Sequence, residues 1–436
     1  MQITFCRGKF VCVTSGIINV LVLLLLCLGA ADAQSVTTQP EKWREDLRFL
    51  ARELPQRHPN PFTQISSNDF QFAVNQLDAA IPTLPDHVIQ AQLVGLVALL
   101  HDAHTSLDFT SGTMPFRRYP IAFRVFKENL YVVAVTSEPG VSERGRVNYA
   151  RALGARVVRI GQTDIVAAGI KVSALVSAEN LAWLKQRIGS FLVTPEILQA
   201  LDLLPDMERG RFVFADADGR EFEMTFKPVA RNAAIPWVFA RPSRVPTPLY
   251  RSRPATTFYW YQHLPENRTV YFQYNRCTEM ASQPFAAFSD ELIAFIDSNN
   301  VERVIVDLRQ NPGGNSGILQ RFLTSIRLRS RINRNGGLYV LIDNGTFSSG
   351  LLNALDFRFQ TQATFVGEPT GGKPNHFGEV RTFTLPNSQM TVQHSTRLFR
   401  LVAGDPESFF PDVTIELSGE DYFSGRDPVL EWVLAN

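Results

Sequence analysis

The last third of the chain alternates short apolar stretches with amphipathic ones, and this alternation constrains the fold more than any other feature. The stretches RVIVDL at residues 303–308 and LYVLID at 338–343 are almost continuously apolar. Each is followed by a turn rich in Gly, Asn or Ser and then by a run of helical period. Buried strands that alternate with helices predict a layered α/β domain, which we place at residues 258–436.

Two further domains are predicted before this one. Residues 34–110 carry apolar side chains at intervals of three and four, such as Trp43, Leu47 and Leu50, which predicts a small helical domain. Residues 111–235 change to short β-type runs separated by Gly, Pro, Asn and Glu, which predicts a mixed α/β middle domain. A chain of 436 residues is long enough for this division.

A proline-rich stretch at residues 236–257 separates the middle domain from the last one. Five prolines fall between residues 236 and 254, a composition that opposes regular structure. We therefore predict an ordered linker or strap.

The first segment, residues 1–33, has the pattern of a secretory signal peptide. Arg7 and Lys9 precede a leucine-rich apolar run, and small residues follow it up to Ala33. We expect cleavage after Ala33 and export to the periplasm or the exterior. An uncleaved membrane anchor and a lipoprotein signal centred on Cys27 are the alternatives.

Charge and cysteine content exclude several classes of protein. Without residues 1–33, basic and acidic residues are equal in number, so no basic stripe favours nucleic acid or an anionic membrane surface as the partner. Three of the four cysteines lie in the signal, and Cys277 alone remains. The exported chain therefore has no internal disulfide, and Cys277 is predicted to be a core thiol.

Two adjacent serines, Ser348 and Ser349, lie where the predicted strand LYVLID meets the predicted helix SGLLNALDF. The start of a helix offers unpaired N–H groups, so such a turn can hold a hydroxyl and bind an oxyanion. The alternative is helix capping, for which serine is a favoured residue.

A serine hydroxyl is a weak nucleophile until a base takes its proton, and the chain offers two candidate bases. Lys373, in GEPTGGKPN, could act if burial favoured its uncharged form; otherwise it is a solvated surface residue. His104 could act near neutral pH, or it could simply close the helix before it. His101 and His104 lack a third partner for a metal, so no metal site is predicted.

The segment DLRQNPGGNSG places Gly313 and Gly314 directly after a buried strand. Its backbone N–H groups could face a developing negative charge, or the glycines could serve only a structural turn. The segment lacks the spacing and the Lys-Ser/Thr ending of a phosphate-binding loop, which argues against phosphate binding.

The motifs VIVDLRQNPGG, GTFSS and VGEPTGGK, in this order, resemble the core of the carboxyl-terminal processing peptidases, also called tail-specific proteases. This group is related to the tricorn core protease and to interphotoreceptor retinoid-binding protein. The resemblance covers residues 268–413, with further support from LHDAHT near residue 104. It implies a crotonase-like α/β catalytic domain, an N-terminal helical domain and a PDZ-like mixed α/β middle domain.

The resemblance also implies residue roles. The nucleophile would be Ser348, the base Lys373, 25 positions later, and the oxyanion hole the N–H groups of Ser348 and Gly313. Some relatives use a histidine and a glutamate instead, which would be His104 and Glu407, 59 positions after Ser348. We favour Lys373 and keep both alternatives.

The sequence departs from the family pattern in places. Pro374 follows the lysine where glycine is usual, and His376 and Glu379 have no assigned role. The run GARVVRIGQTDI is similar to part of a PDZ domain, but no carboxylate-binding glycine loop precedes its first strand.

Together these features predict an exported serine endopeptidase that acts on a protein or peptide substrate and requires no metal or organic cofactor. A membrane partner is expected only if the signal stays uncleaved, and the oligomeric state is left open. Two alternatives are a non-catalytic module on the same fold that binds a peptide or an apolar ligand, and an ester hydrolase that uses the same nucleophile.

Overall fold

The computed structural model describes residues 40–127, 129–138, 140–142, 145–240 and 246–436. The predicted signal peptide, residues 1–33, lies outside the described residues, as do residues 241–245 of the predicted strap. None of the helices in the described part of the chain is long and apolar enough to cross a membrane.

The chain divides into two compact units. The N-terminal unit comprises residues up to Ala178 together with Arg187–Ala240 and Phe377–Leu398. The C-terminal unit comprises Glu179–Gln186, Arg241–His376 and Phe399–Asn436. The predicted helical and middle domains thus fall largely in one unit. Residues 179–186 and 377–398 fall in a different unit from the one that the predicted boundaries give them.

Helices and strands follow one another along the whole described chain. The helices are α1 (Pro40–Arg57), α2 (Ser67–Ala80), α3 (Asp86–Ala98), α4 (Ile165–Ser173), α5 (Leu181–Phe191), α6 (Pro195–Ala200), α7 (Phe285–Ser298), α8 (Gln320–Arg327), α9 (Ser349–Gln360), α10 (Gly419–Ser424) and α11 (Pro428–Ala435). The strands are β1 (Ser106–Asp108), β2 (Ile121–Val125), β3 (Leu130–Thr136), β4 (Gly140–Ser142), β5 (Gly145–Val147), β6 (Arg156–Ile160), β7 (Thr163–Asp164), β8 (Gly210–Ala215), β9 (Glu221–Phe226), β10 (Trp237–Phe239), β11 (Tyr259–Leu264), β12 (Thr269–Tyr274), β13 (Arg303–Asp307), β14 (Leu338–Ile342), β15 (Thr364–Gly367), β16 (His376–Thr384), β17 (Thr391–Phe399) and β18 (Val413–Thr414). This order confirms the predicted mixed α/β class.

The N-terminal unit begins with the predicted amphipathic helices. Leu47, Leu50 and Leu54 of α1 are fully buried, as their spacing predicts. The main sheet of this unit is antiparallel, in the order β10-β3-β6-β8-β9, with β2 also paired to β3 and β7 to β6. A second sheet has the order β1-β17-β16. The β8–β9 hairpin turns at Gly219, whose φ of +80° suits glycine.

The prediction that residues 236–257 lack regular structure is wrong at their start. Trp237–Phe239 form β10, which pairs antiparallel with β3 at Thr136 and Ala134. The three residues favour a strand because they are aromatic or β-branched, and Pro236 lies just outside it. The prediction missed this short strand because it was based on the proline content of the whole stretch.

The C-terminal unit is built on a six-stranded sheet in the order β11-β12-β13-β14-β15-β18. All neighbours are parallel except β11 and β12. Val304 and Val306 of β13 face a core that α7, α8 and α9 complete, and Ile305 faces Val429 of α11 on the other side. The apolar strands are therefore covered on both faces, as continuous apolar runs predict. The loops that follow β13, β14 and β15 all begin at the carboxyl-terminal edge of the sheet, because these strands are parallel. Ligands of open α/β sheets bind at this edge.

A buried ion cluster ties the end of β13 to the start of α11. The guanidinium of Arg309 donates to both carboxylate oxygens of Asp427 at 2.8 Å and to Asp307 at 2.6 Å. Burial alone lowers the pKa of Arg309, but the two carboxylates raise it well above its ordinary value, so the arginine is charged. Asp427 also accepts from the Leu430 N–H at 3.1 Å and so caps α11.

We expect Asp427→Ala to lower the free energy of unfolding by about 3 kcal/mol, because it leaves Arg309 buried beside one carboxylate instead of two. Urea denaturation followed by circular dichroism measures the change. The control is Glu431→Ala on the same helix, which removes the exposed ion pair with Arg426 and should cost less than about 0.5 kcal/mol. Equal losses for the two variants would contradict a stabilising role for the cluster.

Candidate active site

Ser348 occupies the turn between β14 and α9, at the N-cap position of the helix, with φ 49° and ψ −125°. A positive φ is rare for residues other than glycine and costs of order 1–3 kcal/mol where the surroundings enforce it. The hydroxyl caps no N–H of the helix. The capping alternative is therefore wrong for Ser348, and its hydroxyl is left for another use.

The neighbouring serine has a structural partner. The Ser349 hydroxyl donates to the Gly314 carbonyl at 2.7 Å, which joins the start of α9 to the glycine loop. On the other side of Ser348, the Thr346 hydroxyl donates to the Leu308 carbonyl at 2.9 Å. The turn is thus fixed from both ends while Ser348 sits between them.

The glycine loop lies directly against the serine turn. Gly313 has φ +104°, and a Cβ built on it would lie 2.8 Å from the Cβ of Ser348 and 2.8 Å from the backbone N of Ser349. Gly314 has φ +133°, and its Cβ would lie 2.2 Å from the Cys277 carbonyl oxygen. Larger residues do not fit here, so the paired glycines permit the close approach of the loop to Ser348.

The amides beside Ser348 differ in their partners. The Gly313 N–H donates to the side-chain oxygen of Asn311 at 2.9 Å. Among the residues that the structure describes, the N–H groups of Gly314 and Ser348 have no hydrogen-bond acceptor. Asn311 is fully buried and also donates to the Tyr274 carbonyl at 2.8 Å. The loop therefore presents open amides at Gly314 and Ser348, whereas the amide of Gly313 is engaged.

Cys277 belongs to the support of this loop. The thiol is 1% exposed and donates to the Asn353 side-chain oxygen at 3.3 Å. Burial raises the pKa of Cys277 to about 12, even though the hydrogen bonds with Tyr274 and Asn311 lower it. This confirms the predicted core thiol, which stays protonated and unreactive near neutral pH.

Lys373 lies in a loop that contacts the serine turn. The Gly372 N–H donates to the Thr346 carbonyl at 3.3 Å. The Lys373 ammonium forms an ion pair with Asp405 at 2.8 Å, and Asp405 is 65% exposed. The Lys373 nitrogen is therefore engaged by a carboxylate in this structure.

Glu407 lies in the same unit. Its backbone carbonyl accepts a hydrogen bond from the Asn180 side chain at 2.7 Å. Its side chain is exposed, and the carboxylate makes no hydrogen bond with another described residue. His376 and Glu379, which depart from the family pattern, do have partners: His376 stacks on Phe399, and Glu379 pairs with Arg397.

His104 belongs to the N-terminal unit, where it follows α3 and is buried. Its backbone N–H donates to Asp102 at 2.9 Å. The other oxygen of Asp102 accepts from His58 at 2.9 Å and from the Ser395 hydroxyl at 2.6 Å. These contacts hold the loop that carries His104. His58 and Ser395 lie 44 and 293 positions from Asp102 along the chain, so no local sequence pattern pointed to them.

The protonation of this cluster follows from its hydrogen bonds. His58 Nδ1 accepts from the Asn60 N–H at 3.2 Å, so Nε2 carries the hydrogen donated to Asp102. Burial raises the pKa of the Asp102 carboxyl, but the hydrogen bond from His58, the nearby His104 and the hydroxyl of Ser395 together hold it below its ordinary value. Asp102 is therefore a buried carboxylate.

We expect Asp102→Asn to lower the free energy of unfolding at pH 7 by about 1.5–3 kcal/mol, because it replaces a charged hydrogen-bond acceptor. The folded-state pKa is depressed, so this stabilisation is present above the unfolded pKa of about 3.9 and is lost as the pH falls through the folded value. The difference in urea midpoint between the variant and the wild type should thus be largest at pH 7 and smaller at pH 3. The exposed Asp218→Asn is the control, and a difference that does not change with pH would contradict the assignment.

No protein-family model matches the sequence, and no curated protein matches it significantly. Among solved structures, mature CPAF complexed with lactacystin is similar, with a TM-score of 0.60 at 12% identity over 90% of this chain and 97% of that chain. A mutant of CPAF gives 0.60 at 13% identity over 90% and 96%. A weaker match is the photosystem II D1 C-terminal processing protease, with 0.40 at 14% identity over 92% and 97%. The chain therefore shares its fold with CPAF.

Proposed function

We propose that this protein is a serine endopeptidase with Ser348 as its nucleophile. The observation that carries the proposal is the strained backbone of Ser348, whose hydroxyl caps no helix and whose Cβ abuts Gly313. A strained strand-to-helix turn is a common way to present a nucleophilic serine. The fold shared with CPAF supports the same reading.

In this proposal the Ser348 hydroxyl oxygen attacks the carbonyl carbon of the scissile peptide bond while a base takes its proton. The tetrahedral intermediate then collapses to an ester on Ser348, and the protonated base returns the proton to the leaving amine. A water molecule then attacks the ester carbonyl in the same way, which releases the carboxylic acid product and restores the Ser348 hydroxyl. The open amides of Ser348 and Gly314 would hold the oxyanion. The amide of Gly313, which the sequence predicted as a donor, could bind the oxyanion only if its hydrogen bond to Asn311 broke.

The base is either Lys373 or His104 acting with Glu407, and the ion pair between Lys373 and Asp405 favours the histidine alternative. We expect Asp405→Asn to leave the rate of peptide cleavage unchanged, because the ion pair that it removes does not involve the histidine. If Lys373 is the base, the rate should change instead, because the lysine nitrogen loses the carboxylate that holds it in place. Initial rates of peptide cleavage between pH 5 and 10 distinguish the two.

The wider architecture stays part of the proposal. The C-terminal unit would be the crotonase-like catalytic domain, and the main sheet of the N-terminal unit would belong to a PDZ-like domain. The substrate would be a protein or peptide. Export, with cleavage after Ala33, would place the enzyme in the periplasm or outside the cell, and the intact mass of the secreted protein tests this.

The test of the proposed function is covalent labelling. The mature chain is treated with a fluorophosphonate, which forms an ester with an activated serine, and the modified peptide is identified by mass spectrometry. Casein cleavage is followed in parallel. We expect one label, on Ser348, and a loss of cleavage in proportion to labelling.

Two outcomes would contradict the proposal. Labelling elsewhere with continued cleavage would reject Ser348 as the nucleophile. No labelling and no cleavage, with a peptide or an apolar ligand still bound, would favour the non-catalytic binding module.

A further inference from the structure

A short segment of the C-terminal unit, Glu179–Gln186, lies between residues of the N-terminal unit in the sequence. We infer that two of its residues, Asn180 and Trp183, are positioning residues that brace the turn of Ser348 and the loops of Lys373 and Glu407. This inference rests on the proposed function, because it assigns the segment a role in the same site.

Trp183 supports the serine turn directly. Its ring stacks on the ring of Phe347, the residue before Ser348, with 3.9 Å between centroids and 12° between planes. The two side chains are 8% and 7% exposed. A Cβ built on Gly371 would lie 2.7 Å from the Trp183 ring, so the ring also packs against the loop that leads to Lys373.

Asn180 joins the other two loops. Its side-chain N–H₂ donates to the Glu407 carbonyl at 2.7 Å and to the Ser408 hydroxyl at 3.0 Å, with a longer contact of 3.4 Å to the Thr370 carbonyl. Its side-chain oxygen accepts from the Trp183 N–H at 2.7 Å. Asn180 is 2% exposed, so the amide that links these loops also fixes the start of α5 and the place of Trp183.

The serine turn needs such support because its backbone is strained. A positive φ at Ser348 persists only if surrounding contacts enforce it. The Phe347 N–H donates to the Asn311 carbonyl at 2.9 Å, which fixes the backbone, whereas the Phe347 ring is fixed by the stack on Trp183. Loss of the stack removes one contact that holds the Phe347 ring, and the adjacent Ser348 hydroxyl can then move relative to its base and to the Gly314 amide.

The experiment compares Trp183→Leu, Trp183→Phe and Trp432→Leu in the full mature chain. Trp432 packs edge-on against Tyr339 on the α11 face of the sheet and is the matched control. Readouts are kcat and KM for a peptide substrate, the rate of fluorophosphonate labelling of Ser348, and the thermal midpoint. We expect Trp183→Leu to lower kcat and the labelling rate by about 10- to 100-fold with little change in KM, because a small displacement of a reacting group costs about this much.

The conservative variant separates positioning from general damage. Trp183→Phe keeps an aromatic ring against Phe347 and should recover most of the lost kcat. Trp432→Leu should lower the thermal midpoint while kcat stays near that of the wild type. Should Trp183→Leu not fold, Asn180→Ala takes its place and is expected to lower kcat in the same way, since it frees both loops.

The outcomes are distinguishable. If the wild type cuts and is labelled at Ser348, but Trp183→Leu and Asn180→Ala keep the wild-type kcat, the positioning inference is overturned and the proposed function survives. A loss of kcat that Trp183→Phe does not recover, or a loss seen only in KM, overturns it as well. If the wild type neither cuts nor labels, the proposed function fails, and the positioning inference fails with it.

Discussion

Replacing Ser348 with alanine should abolish peptide cleavage, with kcat lowered by about 10⁶-fold, as expected when a serine nucleophile acting with a base is removed. The reason is local. Ser348 lies at a turn where a strained backbone, a hydroxyl that caps no helix and the open amides of Ser348 and Gly314 come together. Alanine removes only the hydroxyl oxygen, so the fold should be retained. The measurement is single-turnover cleavage of a fluorogenic peptide, with circular dichroism to verify the fold.

The control for this variant is the adjacent serine. Ser349→Ala removes the hydrogen bond to the Gly314 carbonyl, a loss of about 1 kcal/mol in stability. We expect less than about a tenfold loss of rate, which corresponds to about 1.4 kcal/mol. If the Ser348→Ala variant still cuts, or if the Ser349→Ala variant loses all activity, Ser348 is not the nucleophile that the proposed mechanism requires. Either outcome would overturn that mechanism.

The parts of this structure that the sequence predicts are those that local patterns determine. The parallel core of the C-terminal unit follows from the apolar runs of β13 and β14, which must be buried on both faces. The Ser348 turn follows from the same pattern, because it joins a buried strand to a helix. The hydrogen bond between the Asn311 side chain and the Gly313 amide is also predictable from the local sequence, because an asparagine commonly accepts from the N–H two residues later in a turn.

The parts that the sequence missed depend on residues far apart in the chain. Asn180 meets Glu407 across 227 positions, and Ser395 meets Asp102 across 293. Neither contact leaves a periodic or spacing signal, because each pair is brought together only when the whole unit has folded. For the same reason, composition does not predict that residues 179–186 belong to the C-terminal unit and residues 377–398 to the N-terminal unit.

The glycine loop gives the second large effect. Gly313→Ala should lower kcat by about 10²- to 10³-fold, the loss found when an oxyanion donor is displaced. The new Cβ would lie 2.8 Å from the Cβ of Ser348 and from the Ser349 nitrogen, and neither neighbour is the end of a flexible side chain. Either the loop or the serine turn must therefore shift, and each shift moves the open amide of Gly314 away from Ser348.

The change also forces alanine into a φ of +104°, so strain alone must be separated from displacement. Gly336→Ala in the same unit provides this separation, because Gly336 has φ +76° and its Cβ would approach nothing closer than the tip of Arg334 at 3.9 Å. Both variants should lose stability in urea, but only Gly313→Ala should lose kcat and fluorophosphonate labelling. If Gly313→Ala keeps its kcat while its stability falls as far as that of Gly336→Ala, the loop only shapes a turn, and the oxyanion must be held by other groups.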